Sequence, residues 1–418
     1  MKKLILLELL LLFLATTFMT DSPPSGWYQQ ILPRNDVTIQ DIFFVDSLVG
    51  HVVSRKNTND SAFIFKTTDG GNNWITTLKE GLYLTSIQFT DANTGYSAGS
   101  TPPGIVKKTT DGGQNWFTVS TLAAYPLWDI AFVNKDTGWT CSDDAFGGGI
   151  YKTTNGAINW VLQPSPNYRI IKLFFLNKDT GWAGSNDWKL YRTTNGGNNW
   201  GLQYTFTAGT ANIFFISKDT GFVAGGFGTH SVKRTTNGGF NWDSTTNSLG
   251  GKGLFFLNKK LGWNSDVFSI VQKTTDGGIS WFRQTVPSGY YYSIQFADSN
   301  SGWSGGTILI HSTDGGGPPA GIRRISNVIP REYLLYQNYP NPFNSSSQIR
   351  FQISKKSNIE LIIFDITGRL LTRIIDKEIT PGIYEVNFDG SNYSSGVYFY
   401  SLMADDILIE TKKMVMIK

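Results

Sequence analysis

Short apolar runs alternate with polar turns along most of the chain, and the alternation repeats. Seven runs share an Ile/Leu-x-Phe core and begin at Asp41, Ser86, Asp129, Lys172, Asn212, Gly253 and Ser293. Most lead through a polar turn to a glycine and an aromatic, as in Gly95-Tyr96, Gly138-Trp139 and Gly302-Trp303. A third tract, Lys66–Trp74 and its variants, ends at Trp74, Trp116, Trp160, Trp200, Trp242 and Trp281. β-Branched and aromatic runs bounded by Asn, Asp and Gly are strands. Each unit therefore reads as strand A (Ile/Leu-x-Phe), strand B (after the glycine), strand C (into Thr-Thr) and strand D (from the tryptophan). The tryptophans recur about every 39–44 residues, the length of a four-stranded propeller blade. Seven copies of strand A predict an all-β, seven-bladed β-propeller.

The last unit is incomplete. Its third tract, Ser312–Gly316, runs into Pro318-Pro319, and proline continues a strand poorly. Near the start of the chain, Trp27 and Gln30 repeat the spacing of Trp160 and Gln163, and of Trp200 and Gln203. The N-terminal segment is thus expected to supply the missing outer strand of blade seven and close the ring.

Other segments fall outside the repeat. Residues 1–20 begin with Lys2-Lys3 and continue with a short apolar stretch, the form of a secretory signal peptide rather than a stable transmembrane span. The propeller is expected over 21–318. A Gly/Pro-rich and then polar stretch, 319–333, reads as a linker. Residues 334–418 resume alternating strands with turn signals at Thr367-Gly368 and Pro381-Gly382, which predicts a small Ig-like β-sandwich.

Charge and cysteine content narrow the function classes. The net charge is +4 with no long basic run, so a nucleic-acid surface is not expected. Cys141 is the only cysteine, so no intrachain disulfide can form. The three histidines, His51, His230 and His311, have no metal-ligand spacing, and no Lys-Ser/Thr follows Gly147–Gly149. No metal and no cofactor is expected, and the propeller is expected to be monomeric.

The repeated third tract resembles the Asp-box, or BNR repeat, Ser/Thr-x-Asp-x-Gly-x-x-Trp. Its acidic position is held by Asp69, Asp111, Asp276 and Asp314, and by Asn155, Asn195 and Asn237. A carboxylate and an amide both accept hydrogen bonds in a turn, but an amide cannot serve as a general acid. These residues, with Trp27, Trp74, Trp116, Trp160, Trp200, Trp242 and Trp281, are therefore expected to be structural. Over 27–318 the wording and the count of seven resemble the photosystem II stability/assembly-factor type of propeller, which implies a non-enzymatic binding protein. The alternative is a sialidase-like, glycan-acting hydrolase. Such enzymes need two placed carboxylates, and Glu80 is the one glutamate between Trp27 and Asp314.

The tail carries the sharper resemblance. Asn338, Pro340, Asn341, Pro342 and Phe343, then Gly368-Arg369, then Gly396 and Tyr398, resemble the type IX (Por) secretion C-terminal sorting domain. That resemblance implies passage through the periplasm, contact with the type IX translocon and its sorting peptidase, and delivery to the outer cell surface or the medium. The ligand itself stays open between a protein and a glycan.

Turns that repeat are set by the fold, whereas loops that differ can specialise. The A–B turns and Asp-boxes are near copies; the B–C and D–A loops at the other end differ in every blade. Trp128, Asp129, Arg169, Lys172, Trp188 and Tyr291 are accordingly expected to line or rim a ligand site at that end.

Overall fold

The computed structural model describes residues 26–417 apart from 59–60, 82, 100–102, 123–125, 143–148, 167–168, 208–209, 226–231, 246–247, 317–321, 327, 345 and 390–392. The leader over 1–20, His230 and parts of the variable loops lie outside the described residues. Among those described, every regular element is a strand. Seven four-stranded antiparallel sheets follow one another, the first built from Val37–Phe44, Gly50–Lys56, Ala62–Thr67 and Ile75–Glu80. They form a seven-bladed propeller with strand A innermost.

Blade seven is assembled from both ends of the propeller sequence. Trp27–Gln30 pairs antiparallel with Leu309–Ser312, placing Trp27 opposite Ser312. The fit uses the same parts as the other blades. Trp27 meets Phe296 edge-on at 5.6 Å, as Trp200 meets Phe175 at 5.8 Å. Gln30 donates to the Gly70 carbonyl of blade one at 2.9 Å, as Gln203 does to the Gly238 carbonyl at 2.8 Å.

An aromatic stack joins each blade to the next. A strand-B ring lies flat on the strand-A phenylalanine of the following blade, with ring centroids 3.5–4.1 Å apart. The Asp-box tryptophan then meets that phenylalanine edge-on. Each such pair adds about 0.5–1.5 kcal/mol beyond its area burial. The strand-B glycines are obligatory here. A Cβ on Gly302 would lie 2.2 Å from the Phe296 ring, and one on Gly138 2.6 Å from Phe132. His51 takes the ring position between blades one and two, stacked on Phe89.

The C-terminal region consists of two four-stranded antiparallel sheets that share one apolar core, including Phe351, Val386, Leu361 and Tyr400. One sheet contains Ile322–Ser326, paired with Gly382–Asp389. This corrects the reading of 319–333 as linker. The run is short and carries Arg323-Arg324, so its strand character comes from pairing rather than from its own pattern. Residues of this region, among them Asp376, Lys377 and Glu378, face Lys273 and Asp314 of blades six and seven across a cavity of about 640 Å³.

Candidate functional site: the channel mouth

The Asp-box residues sit in turns that the backbone consumes. The Thr67 hydroxyl donates to Asp69 Oδ1 at 2.8 Å and accepts the Gly71 N–H at 2.9 Å. The Asn73 N–H reaches the same carboxylate oxygen at 2.9 Å. In blades three to five, Asn155, Asn195 and Asn237 accept the equivalent N–H at 3.0 Å each. Gly70 and Gly71 have φ of 71° and 90°, where glycine is favoured. The side chain and N–H of Asn115 hold the Asp111 carboxyl down at about 2. Every Asp-box also donates its first glycine N–H to the A–B turn of its blade, at 2.7–2.9 Å. On that rim each Asp-box is tied to the A–B turn beside it.

At the opposite end the channel widens into a mouth of about 510 Å³. Its base is a ring made by the first channel-facing residue of strand A. Asp129 accepts from Ser86 Oγ at 3.0 Å and from the Leu173 N–H at 2.9 Å, and pairs with Lys172 Nζ at 3.2 Å. Asp41 accepts from Ser293 Oγ at 2.8 Å and from the Ile87 N–H at 3.0 Å. Burial raises the Asp41 carboxyl above its ordinary value despite these donors and Lys172. Burial works against the Lys172 charge, but Asp129 and Asp41 outweigh it and hold the ammonium above its usual value.

Above this ring the wall is built from β-bulges. In six blades strand A slips by one residue against strand B, between Ile39 and Asp41, Leu84 and Ser86, Leu127 and Asp129, Ile170 and Lys172, Thr210 and Asn212, and Tyr291 and Ser293. A bulge leaves one residue unpaired and re-aims its side chain. The unpaired residues Gln40, Thr85, Trp128, Ile171 and Tyr292 all line the mouth. Arg55, Arg169 and Lys252 complete its cationic wall. The Arg55 guanidinium lies over the Tyr83 ring at 5.2 Å, and Lys252 over Tyr292 at 4.7 Å.

Trp128, Asp129, Arg169 and Lys172 thus come together at one opening. Tyr291 requires a correction: it is fully buried, with its hydroxyl on the Pro287 carbonyl at 2.6 Å, and burial raises its phenol well above the usual value. Its neighbour Tyr292 faces the mouth instead. Trp188 is exposed in the B–C turn of blade four at φ 70°, but Asn186 of that turn, not Trp188, lines the opening. The missed signal lies in the spacing of core positions. Leu84, Ile87 and Phe89 are all buried, three and then two residues apart, so the period-two alternation breaks at the bulge.

In the tail, the sorting-motif residues clasp the final strand, Ile407–Met416. The Phe343 N–H donates to the Val415 carbonyl at 3.0 Å, and Asn341 Oδ1 accepts the Val415 N–H at 2.8 Å. Asn338 is buried, its side chain donating to Ser347 Oγ at 2.8 Å. Gly368 turns at φ 82° and Arg369 pairs with Asp365 at 3.0 Å. Tyr398 is buried with its hydroxyl on the Ser394 carbonyl at 2.6 Å, and it follows Gly396 on the same strand.

Residues 337–418 match the secretion system C-terminal sorting domain, and residues 20–165 match the family described as photosynthesis system II assembly factor YCF48. No curated protein matches the chain. Among solved structures, YCF48 bound to D1 peptide superposes with TM-score 0.57 at 22% identity, covering 70% of this chain and 98% of the other. PorZ, a surface component of the type-IX secretion system of Porphyromonas gingivalis, superposes at 0.53 with 14% identity, over 93% of this chain and 60% of PorZ. The GH74 enzyme of Niastella koreensis gives 0.55 and 14%, over 93% of this chain and 67% of the enzyme. At these identities the superpositions speak to fold. The sorting domain indicates export to the cell surface or beyond. The chain joins a BNR-type propeller similar to that of the YCF48 assembly factor to a tail that matches the secretion-system C-terminal sorting domain.

Proposed function

We propose that this is a non-enzymatic binding propeller, exported through its leader and its type IX sorting domain, that holds its ligand in the channel mouth. The observation that carries the reading is the contrast between the ends of the channel. One rim is consumed by repeated backbone turns, while the other opens into a cavity lined by residues that differ from blade to blade. The two carboxylates at the base, Asp41 and Asp129, are engaged by neighbouring N–H groups, serine hydroxyls and Lys172. This supports binding over hydrolysis, which needs one carboxylic acid and one carboxylate aimed at a scissile bond.

Two experiments test this reading. Removing residues 322–418, which takes away every strand of the tail, should leave the propeller in the periplasm; normal surface delivery would refute the sorting assignment. For the mouth, an unbiased screen against glycans and outer-membrane proteins should give a ligand whose binding is lost when Trp128 and Arg169 are replaced by alanine. Turnover of any glycan that disappears in Asp41→Asn and Asp129→Asn would establish the hydrolase instead.

A further inference from the structure

The class of ligand follows from how the inner strands are finished, given that the mouth is the binding site. Strand A leaves one backbone edge facing the channel, and such an edge is the usual line along which a peptide adds itself as a further strand. Here side chains of neighbouring blades occupy that edge. Asp41 takes the Ile87 N–H and Asp129 the Leu173 N–H. Gln88 accepts the Phe132 N–H at 2.7 Å and donates to its carbonyl at 3.0 Å. Gln295 does the same to Phe44 at 2.8 and 3.1 Å. Asn212 donates to the Lys252 carbonyl of blade six at 2.8 Å and accepts the Ile213 N–H of its own strand at 2.9 Å. In blades one to four these bonds already occupy N–H or carbonyl groups that an added strand would need.

Recognition is left to side chains, and these have a definite chemistry. Arg55, Arg169 and Lys252 surround the opening, while the two acids sit below them and are engaged. With Lys172, four cationic side chains line the mouth against two carboxylates, an excess of positive charge. Trp128, carried outward by its bulge, is more than a third exposed. Asn186 adds an amide, while the Gln40 amide is braced by Thr38 and Tyr83 and the Thr85 hydroxyl is spent on the Ala98 and Leu127 carbonyls. A flat indole, guanidinium and ammonium groups, and a neutral amide fit a ring with an apolar face, acidic substituents and many hydroxyls.

We infer that the mouth binds an acidic oligosaccharide. One sugar ring stacks on Trp128, and its carboxylate or sulfate is held by Arg169 and Lys252. The bulged residues select among such glycans, because they share one backbone position and differ in every blade.

The test titrates the full chain with trigalacturonate, a heparin-derived tetrasaccharide, methyl-esterified trigalacturonate and hexaglutamate, by calorimetry at low salt. At least one acidic saccharide should bind, with the esterified probe weaker by about tenfold or more. Trp128→Ala and Arg169→Gln should each weaken binding by about tenfold with an unchanged melting temperature. Phe240→Ser, on the exposed Asp-box rim, should bind like the wild type. Arg169→Gln keeps the test valid if Trp128→Ala folds poorly. Failure of both acidic saccharides to bind the folded wild type overturns the inference. Tighter binding of hexaglutamate that is lost in the two mouth variants overturns the glycan class while the mouth stands. Saccharide binding that is lost only in Phe240→Ser overturns the mouth itself.

Discussion

On the Asp-box rim, blade after blade presents the same turn, and the recurring hydroxyl there answers to a backbone group. Thr67, Thr109, Thr153, Thr193, Thr235, Thr274 and Ser312 all accept the N–H four residues on, at 2.6–3.1 Å. At the mouth, the residues at one backbone position run from glutamine through threonine, tryptophan and isoleucine to tyrosine. Where side chains hold the backbone, they vary only among groups that make the same bond, as Asn does for Asp and Ser for Thr. Where a bulge holds the backbone, they vary in kind. Conspicuous repetition therefore marks scaffold in this chain, and the proposed binding chemistry sits where the repeat falls silent.

The contrast can be broken most forcefully at the closure. Trp27→Ala should destabilise the propeller by about 3–5 kcal/mol, because it empties a buried aromatic site. Deleting 26–31 should cost more, as it also removes the strand paired with Leu309–Ser312. Denaturant unfolding followed by tryptophan fluorescence would show it; an unshifted midpoint refutes the closure.

Acid probes two buried histidines, His51 at the junction of blades one and two and His311 beneath the closing strand. Burial, with Lys66 nearby, lowers His51 to about 3, and burial lowers His311 to about 4 despite Asp298. Both are neutral when folded, whereas the unfolded chain binds protons from about 6.5 downwards. Their stabilising contribution is present above pH 6.5 and is lost as pH falls towards each folded value. His51→Phe, which copies Phe222 at the same place in blade five, should recover about 2 kcal/mol at pH 5 and much less at pH 8. Equal shifts at both pH values would show that packing, not protonation, governs this junction.

Within the Asp-box rim, Thr109→Val leaves the Gly113 N–H and Asp111 short of a partner and should cost about 1–3 kcal/mol. Asn195→Asp should do the least, within about 0.5 kcal/mol by thermal melting, because either side chain accepts the Asn199 N–H. A large loss there would mean that the box discriminates charge, and the distinction between the rims would blur.

Much of the fold was legible because a repeated pattern reports on its own function. Seven Ile/Leu-x-Phe runs and recurring tryptophans declare blades, and Trp27 with Gln30 declares the closing strand. The Asn338–Phe343 motif likewise declares the tail. The mouth was legible only in part. Asp129 and Lys172 follow from their place at the head of strand A, but the bulge shifts the frame by one residue, so Tyr292 rather than Tyr291 faces the opening. Gln88 and Gln295 read as ordinary strand residues, and their bonds to Phe132 and Phe44 exist only once blades stand side by side. Ile322–Ser326 escaped notice for the same reason: its partner strand lies far along the chain.

The closing strand also sets an order of events. Tyr28 and His311 bond across 283 positions of sequence, at 2.8 Å. Trp27–Gln30 must wait for Leu309–Ser312, the third strand of the seventh blade, before it has a groove to enter. Contacts so distant along the chain make folding slow, since the loop entropy is spent before any pairing returns it. Any product truncated before Leu309 keeps Trp27 unseated and the ring open. The latch thus acts as a check on the completeness of the ring, one that any chain cut short of Leu309–Ser312 fails.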